Sequence, residues 1–125
     1  MKKFFSIQRL VSSFGYAVKG IWHVFTTQAN MQIHMLAIVV TTVAGLYFNL
    51  TKGEWIVQTL AITIVIAAEL FNTAIEQMMD LLHPERDIKA GLIKDVSAGA
   101  VLVTAIGAVV VAAFIYWGRI VSLFV

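Results

Sequence analysis

Residues 55–80 of the chain read WIVQTLAITIVIAAELFNTAIEQMMD. The stretch 55–68 carries no charge, and Glu69, Glu76 and Asp80 then follow in quick succession. An apolar run of this extent is long enough to cross a bilayer as a helix, for which about 20 residues suffice. The carboxylates at its end are the anomaly. A charged side chain at the centre of the hydrocarbon costs about 2.5–3.5 kcal/mol on insertion scales, so a lipid-facing row of three is untenable.

Helical geometry gives the carboxylates a common direction. At about 100° per residue, with Glu69 at zero, Asn72 falls near −60°, Glu76 near −20° and Asp80 near +20°. With a rise of about 1.5 Å per residue, Glu76 lies about 10 Å along the axis from Glu69. Such a stripe must line a protein interior, a water-filled cleft or a metal site.

The rest of the chain agrees with a membrane reading. Its 125 residues are 60% hydrophobic, against the ~45–50% of a soluble domain, and the mean hydropathy is +0.88. The expected fold is an all-α membrane protein forming a single domain over 1–125. There is no cysteine, so neither a disulfide framework nor a thiolate metal site is available. The N-terminal MKKFFSIQRLVSSFGY lacks a long apolar core followed by a small-residue cleavage site, so a cleaved signal is not expected.

Three spans are expected, at about 31–50, 55–80 and 94–117. TKGE at 51–54 reads as a tight outer turn, and LLHPERDIKAGLIKD at 81–95 as a polar connection punctuated by Pro84 and Gly91. Ahead of them, over about 4–26, Phe4, Ile7, Leu10, Val11, Phe14, Val18, Ile21, Trp22 and Phe25 recur at steps of three or four. With Lys2, Lys3, Arg9 and Lys19 between them, they predict a basic amphipathic helix lying on the membrane surface. Four of nine Lys/Arg precede the first span, and Arg86, Lys89 and Lys94 follow the second. The positive-inside rule therefore places the N-terminus and the 81–95 loop in the cytoplasm. Tyr47, Tyr116, Trp55 and Trp117 read as interface anchors. Ala100, Thr104, Ala108 and Ala112 form a small-residue ridge that lets helices approach closely.

Carboxylates ending near an interface suit Mg²⁺, which takes few of them and completes its shell with water and phosphate. A deeper carboxylate can act as general base toward a hydroxyl held at the interface, and Lys94 can neutralise phosphate charge. Together these parts describe phosphoryl transfer to a lipid alcohol. Two alternatives stand beside it. Glu69 and Glu76 can simply hold helices together, through hydrogen bonds or an ion pair with Lys94. The chain can also be a non-catalytic membrane interaction protein or an ion- or proton-path subunit. A through-path needs polar groups continuing outward from Glu69, where the second span offers Thr63, Thr59 and Gln58. No GxxxxGK[ST] loop, protein-kinase signature or GxSxG elbow is present. His23, His34 and His83 read as interfacial or hydrogen-bonded rather than as metal ligands.

ELFNTAIEQMMD, followed by KDVSAGAVL at 94–102, resembles the E-x-x-N-[ST]-A-I-E-x-x-x-D and K-D-x-x-[SA]-A/G-A-V-L motifs of the small bacterial integral-membrane diacylglycerol kinases and related undecaprenol kinases. GY at 15–16 and KG at 19–20 extend the likeness over essentially the whole chain. The resemblance implies a homotrimer of three-span protomers whose sites form at protomer boundaries. It implies ATP as co-substrate, Mg²⁺ as cofactor and a membrane lipid alcohol as acceptor; no nucleic acid is expected as a partner. It makes Glu69 the base, Asn72 its hydrogen-bonding neighbour and Glu76 the holder of Mg-ATP. Lys94 and Asp95 would order the phosphates, Arg9, Tyr16 and Glu85 would surround the nucleotide, and Asp80 would support the motif. One departure stands out: the family's second metal-binding glutamate is replaced by Gln28, an uncharged amide. Asn30 and His34 resemble the undecaprenol branch.

Overall fold

The computed structural model describes residues 6–125, so Lys2, Lys3 and Phe4 of the expected surface helix lie outside the described residues. Four helices follow in order: α1 Ile7–Thr27, α2 Ala29–Tyr47, α3 Lys52–Leu82 and α4 Ile88–Val121. The last three are each long and apolar enough to cross a membrane. The three spans are thus present, with ends that differ from expectation for local reasons.

Gln28 alone separates α1 from α2, in extended backbone. Its N–H still donates to the Val24 carbonyl at 3.0 Å, so the chain bends without losing that helical bond. Val24 is the buried residue of α1, whereas Ile7, Phe14 and Trp22 are exposed.

The first span ends at Tyr47, not at Leu50. Asn49 takes a left-handed backbone, φ 51°, a conformation that asparagine tolerates better than most residues. The Leu50 and Asn49 N–H groups donate back to the Gly45 and Leu46 carbonyls at 3.1 and 3.4 Å. This is the Schellman pattern that closes a helix. It turns Leu50 inward against Ile115 and Tyr116.

TKGE is not a free turn. Thr51 caps α3, its Oγ1 accepting from the Glu54 N–H at 3.2 Å while its own N–H donates to Glu54 Oε2 at 2.8 Å. This reciprocal capping box makes Lys52–Glu54 the first turn of the helix. The polar connection is likewise shorter than 81–95. Asp87 accepts the Ala90 N–H at 2.9 Å and starts α4 at Ile88, which puts Gly91, Lys94 and Asp95 on a helix. That same hydrogen bond holds the Asp87 carboxyl below its ordinary range.

α4 runs antiparallel along α3, and polar pairs tie the two together. Arg119 forks onto both Glu54 oxygens at 2.9 Å, and Lys94 meets Asp80 at 2.7 Å. Between these ends, Tyr116 donates to Gln58 Oε1 at 2.6 Å and Ser97 donates to Asn72 Oδ1. Tyr116 is therefore no interface anchor: it is buried, and its hydroxyl also lies 2.9 Å from the Thr41 carbonyl of α2. Tyr47 and Trp117 are exposed, as anchors would be. Part of the small-residue ridge serves the protomer itself, since Ala108 and Ala112 line a cavity between α2, α3 and α4.

Trp55 closes the α2–α3 corner over Gly45. A Cβ built there would stand 2.6 Å from Trp55 Cη2 and 2.9 Å from Leu50 Cδ1. Gly45→Ala is expected to lower the melting temperature in detergent, at an overpacking cost of about 1–3 kcal/mol. The double variant Gly45→Ala/Trp55→Leu should recover part of that loss, which a thermal melt monitored by circular dichroism will show.

Candidate active site

The α3 stripe faces inward as its spacing predicts, and burial falls along it. Glu69 is 1% exposed and Asn72 6%, whereas Glu76 is half-buried and Asp80 exposed. Each of the three motif positions other than Glu76 meets a different partner. Asp80 holds the Lys94 ammonium, and Asn72 accepts from Ser97. Glu69 faces α2, where His34 Nε2 stands 3.8 Å from its Oε2. Both of those atoms are buried and lack a hydrogen-bond partner among the described residues, as does Thr73 Oγ1, one helical turn after Glu69. His34 and Glu69 border a cleft of about 260 Å³ that is also lined by Asn30, Asn72 and the α4 residues Ala98 and Val101.

Nearer the chain turn, Asp80, Glu85, Arg86 and Lys94 share a second cleft of about 410 Å³. Lys94 and Glu85, both expected near phosphate, are thus brought together. Asp95 is exposed on α4. Arg9 and Tyr16 are exposed on α1, which reaches α3 where Gln77 Nε2 donates to His23 Nε2 at 3.0 Å. Gln28 sits at the α1–α2 bend, its amide 3.3 Å from Thr27 Oγ1. Among the described residues, no three His, Asp or Glu side chains converge as a metal site.

From Glu69 toward Gln58 the lining becomes mostly apolar. A cavity of about 190 Å³ bounded by Ile38, Ile62, Val65, Ile66 and Ala108 lies between the stripe and Gln58. Gln58 itself is occupied by Tyr116 and the Thr41 carbonyl, and Thr63 bonds its own helix at Thr59. The polar groups do not form a continuous file across the protomer.

The residues that face two of the motif side chains were not read as their partners from sequence. Ser97 lies three positions after Lys94, hence on its face of a helix, but that signal needs α4 to start well before residue 94. His34 was read as interfacial or hydrogen-bonded; only the approach of α2 to α3 puts it opposite Glu69.

Both motifs fall within residues 15–116, which match the family model described as prokaryotic diacylglycerol kinase. The chain belongs to this family. It is 34% identical over 89 residues to an undecaprenol kinase of Bacillus subtilis strain 168, covering 71% of this chain and 72% of that protein. It is 36% identical over 72 residues to a diacylglycerol kinase of a Synechocystis species, covering 58% of this chain and 41% of that protein. The protein is a lipid kinase, which agrees with carboxylates placed at the end of a membrane-length helix.

Ser97→Ala would strand the buried Asn72 carbonyl oxygen, an omission that typically costs about 1–3 kcal/mol. The variant is expected to melt earlier in detergent and to lose lipid kinase turnover. Val103→Ala, on an exposed α4 position, should change neither.

Proposed function

We propose that this family member transfers the γ-phosphate of ATP to the hydroxyl of a membrane lipid alcohol, with Glu69 as general base. The observation that carries this reading is the buried Glu69 oxygen without a hydrogen-bond partner, at the edge of a cleft. A carboxylate kept only to join helices would be expected to be fully bonded in so dry a place. In the proposed step the lipid hydroxyl gives its proton to Glu69 while its oxygen bonds to the γ-phosphorus. The bond from that phosphorus to the β,γ-bridging oxygen breaks, and ADP leaves. Asn72, locked by Ser97, orients the acceptor. Positioning supplies much of the catalysis in such transfers.

The lengths of the helices support the arrangement. α3 has 31 residues, so it is about 46 Å long, beyond the ~30 Å of hydrocarbon. With the Glu54–Arg119 pair at the outer boundary, about 20 residues bring the chain to the inner boundary just past Glu69. Glu76, Asp80 and Lys94 then lie among headgroups on the cytoplasmic side, as do the N-terminus and the 83–87 connection. The base meets the lipid, and the polar end of the helix meets the nucleotide. α1 suits the membrane surface, with its uncovered apolar side chains in the acyl boundary and Arg9 and Lys19 toward headgroups.

Glu76 fits a Mg²⁺ that arrives with ATP, since the protomer offers it a single half-buried carboxylate and the remaining shell suits phosphate and water. When bound, that ion neutralises phosphate charge. Lys94 is held by Asp80 for contact with phosphate, with Glu85 in the same cleft and Asp95 close by on α4. Arg9 and Tyr16 complete the nucleotide site in a homotrimer, where α1 of one protomer can reach the next. The whole of 1–125 acts as one domain in the bacterial inner membrane. The relative with the broader two-way coverage is an undecaprenol kinase, which favours undecaprenol over diacylglycerol as acceptor. The interrupted polar file speaks against an ion path.

In mixed micelles with Mg-ATP, Glu69→Gln is expected to lower turnover by about 10²–10⁴-fold, the usual worth of a general base, without changing the oligomer. Retained activity would sink the base assignment, and assaying undecaprenol and diacylglycerol side by side names the acceptor. Gln28→Glu is expected to lower the Mg²⁺ concentration needed for half-maximal rate. An unchanged Mg²⁺ dependence would remove residue 28 from the metal site.

A further inference from the structure

We infer that His34 is a second catalytic group, donating from Nε2–H to the same lipid hydroxyl oxygen whose proton Glu69 takes. The inference rests on the Glu69 reading and adds to it a two-point clamp. His34 Nε2 and Glu69 Oε2 are 3.8 Å apart. That is too long for a hydrogen bond, which for these atoms falls at about 2.7–3.2 Å. Both atoms are nonetheless buried and unpartnered. An oxygen about 2.8 Å from each would join them, since two such arms span 3.8 Å at an angle of roughly 85°, and a small parting of the two side chains, whose facing atoms are closed to solvent as they stand, admits it. A hydroxyl is the group with the required duality, giving one hydrogen bond and accepting another.

The position of His34 agrees with the chemistry of a lipid alcohol. Its ring borders both the cleft that holds Glu69 and the apolar cavity lined by Ile38, Ile62 and Val65. An alcohol on an apolar chain presents its hydroxyl at just such a boundary. As the proton passes to Glu69 and the new oxygen–phosphorus bond forms, negative charge develops on the oxygen until phosphorus shares it. A fixed N–H aimed at that oxygen stabilises the charge, and His34 keeps its own proton throughout. An interhelical ion pair would use the same residues differently: it would stabilise the fold and leave no donor on the substrate.

Two substitutions separate these roles. His34→Leu keeps apolar bulk and removes the donor, and His34→Gln returns an N–H of similar reach. Assayed in mixed micelles with undecaprenol and Mg-ATP, His34→Leu is expected to lower kcat by about 10²–10³-fold, the worth of one donor to a developing oxyanion. KM for ATP and the melting temperature should hold, and His34→Gln should regain much of the lost rate. A kcat for His34→Leu within about twofold of the parent overturns the inference. Equal loss in both variants with a lowered melting temperature also overturns it, and makes His34 a strut. A binding readout covers variants that fail to fold. In the ¹⁵N-histidine-labelled Glu69→Gln protein, undecaprenol should shift the His34 Nε2 resonance, assigned by elimination with His23→Gln and His83→Gln; no shift overturns the inference. An inactive Glu69→Gln beside a fully active His34→Leu sinks only the clamp, whereas an active Glu69→Gln sinks the base reading beneath it.

Discussion

Lipid offers polar side chains no hydrogen bonds, so the polar groups of α3 have to find partners on neighbouring helices. That constraint sets the α3–α4 register. Glu54 with Arg119, Gln58 with Tyr116, Asn72 with Ser97 and Asp80 with Lys94 pair along two antiparallel helices. A slide of either helix by a residue or two would break several pairs together and leave the buried ones unsatisfied, each a cost of kilocalories in an apolar medium. Backbone hydrogen bonding makes each helix; the side-chain pairs decide how the long ones lie against each other.

The two halves of this seam differ in completeness. At the end where α3 begins, the guanidinium of Arg119 takes both oxygens of Glu54, and Gln58 is engaged by Tyr116 and by the Thr41 carbonyl. In the half toward the end of α3, three buried polar atoms, on His34, Glu69 and Thr73, have no partner among the described residues. A fold can tolerate a few such atoms, and two of them, on His34 and Glu69, border one cleft with the motif residue Asn72. The polarity gradient from Glu69 to Asp80 suits a lipid kinase, which must join an acceptor dissolved in the bilayer to a donor dissolved in water.

Much of this was legible in ELFNTAIEQMMD because helical spacing alone aligns Glu69, Asn72, Glu76 and Asp80. Their partners were less legible, since Ser97 and His34 come from helices whose start and approach are tertiary facts. Tyr116 illustrates the difficulty. An aromatic near the end of a span fits a membrane-interface anchor by composition, yet this one turns inward because the Gln58 amide needs a partner. TKGE and the region after Leu82 misled for a related reason. Short polar stretches look like loops, whereas Thr51 and Asp87 act as caps that draw the following residues into helix.

Hydropathy, charge bias and helical period in the sequence by themselves determined the three apolar segments and the inward carboxylate stripe, while the paired motifs ELFNTAIEQMMD and KDVSAGAVL carried the kinship to lipid kinases. These are properties of one chain against water and lipid, and they need no knowledge of which helix touches which. The tertiary structure decided which stripe residues are satisfied and which are held in reserve. It pairs Lys94 with Asp80 rather than with the deeper carboxylates, gives Asn72 to Ser97, and sets His34 opposite Glu69 at 3.8 Å, beyond a direct hydrogen bond. Such pairings depend on register and approach to within an ångström, which side-chain packing between helices fixes and local sequence does not encode.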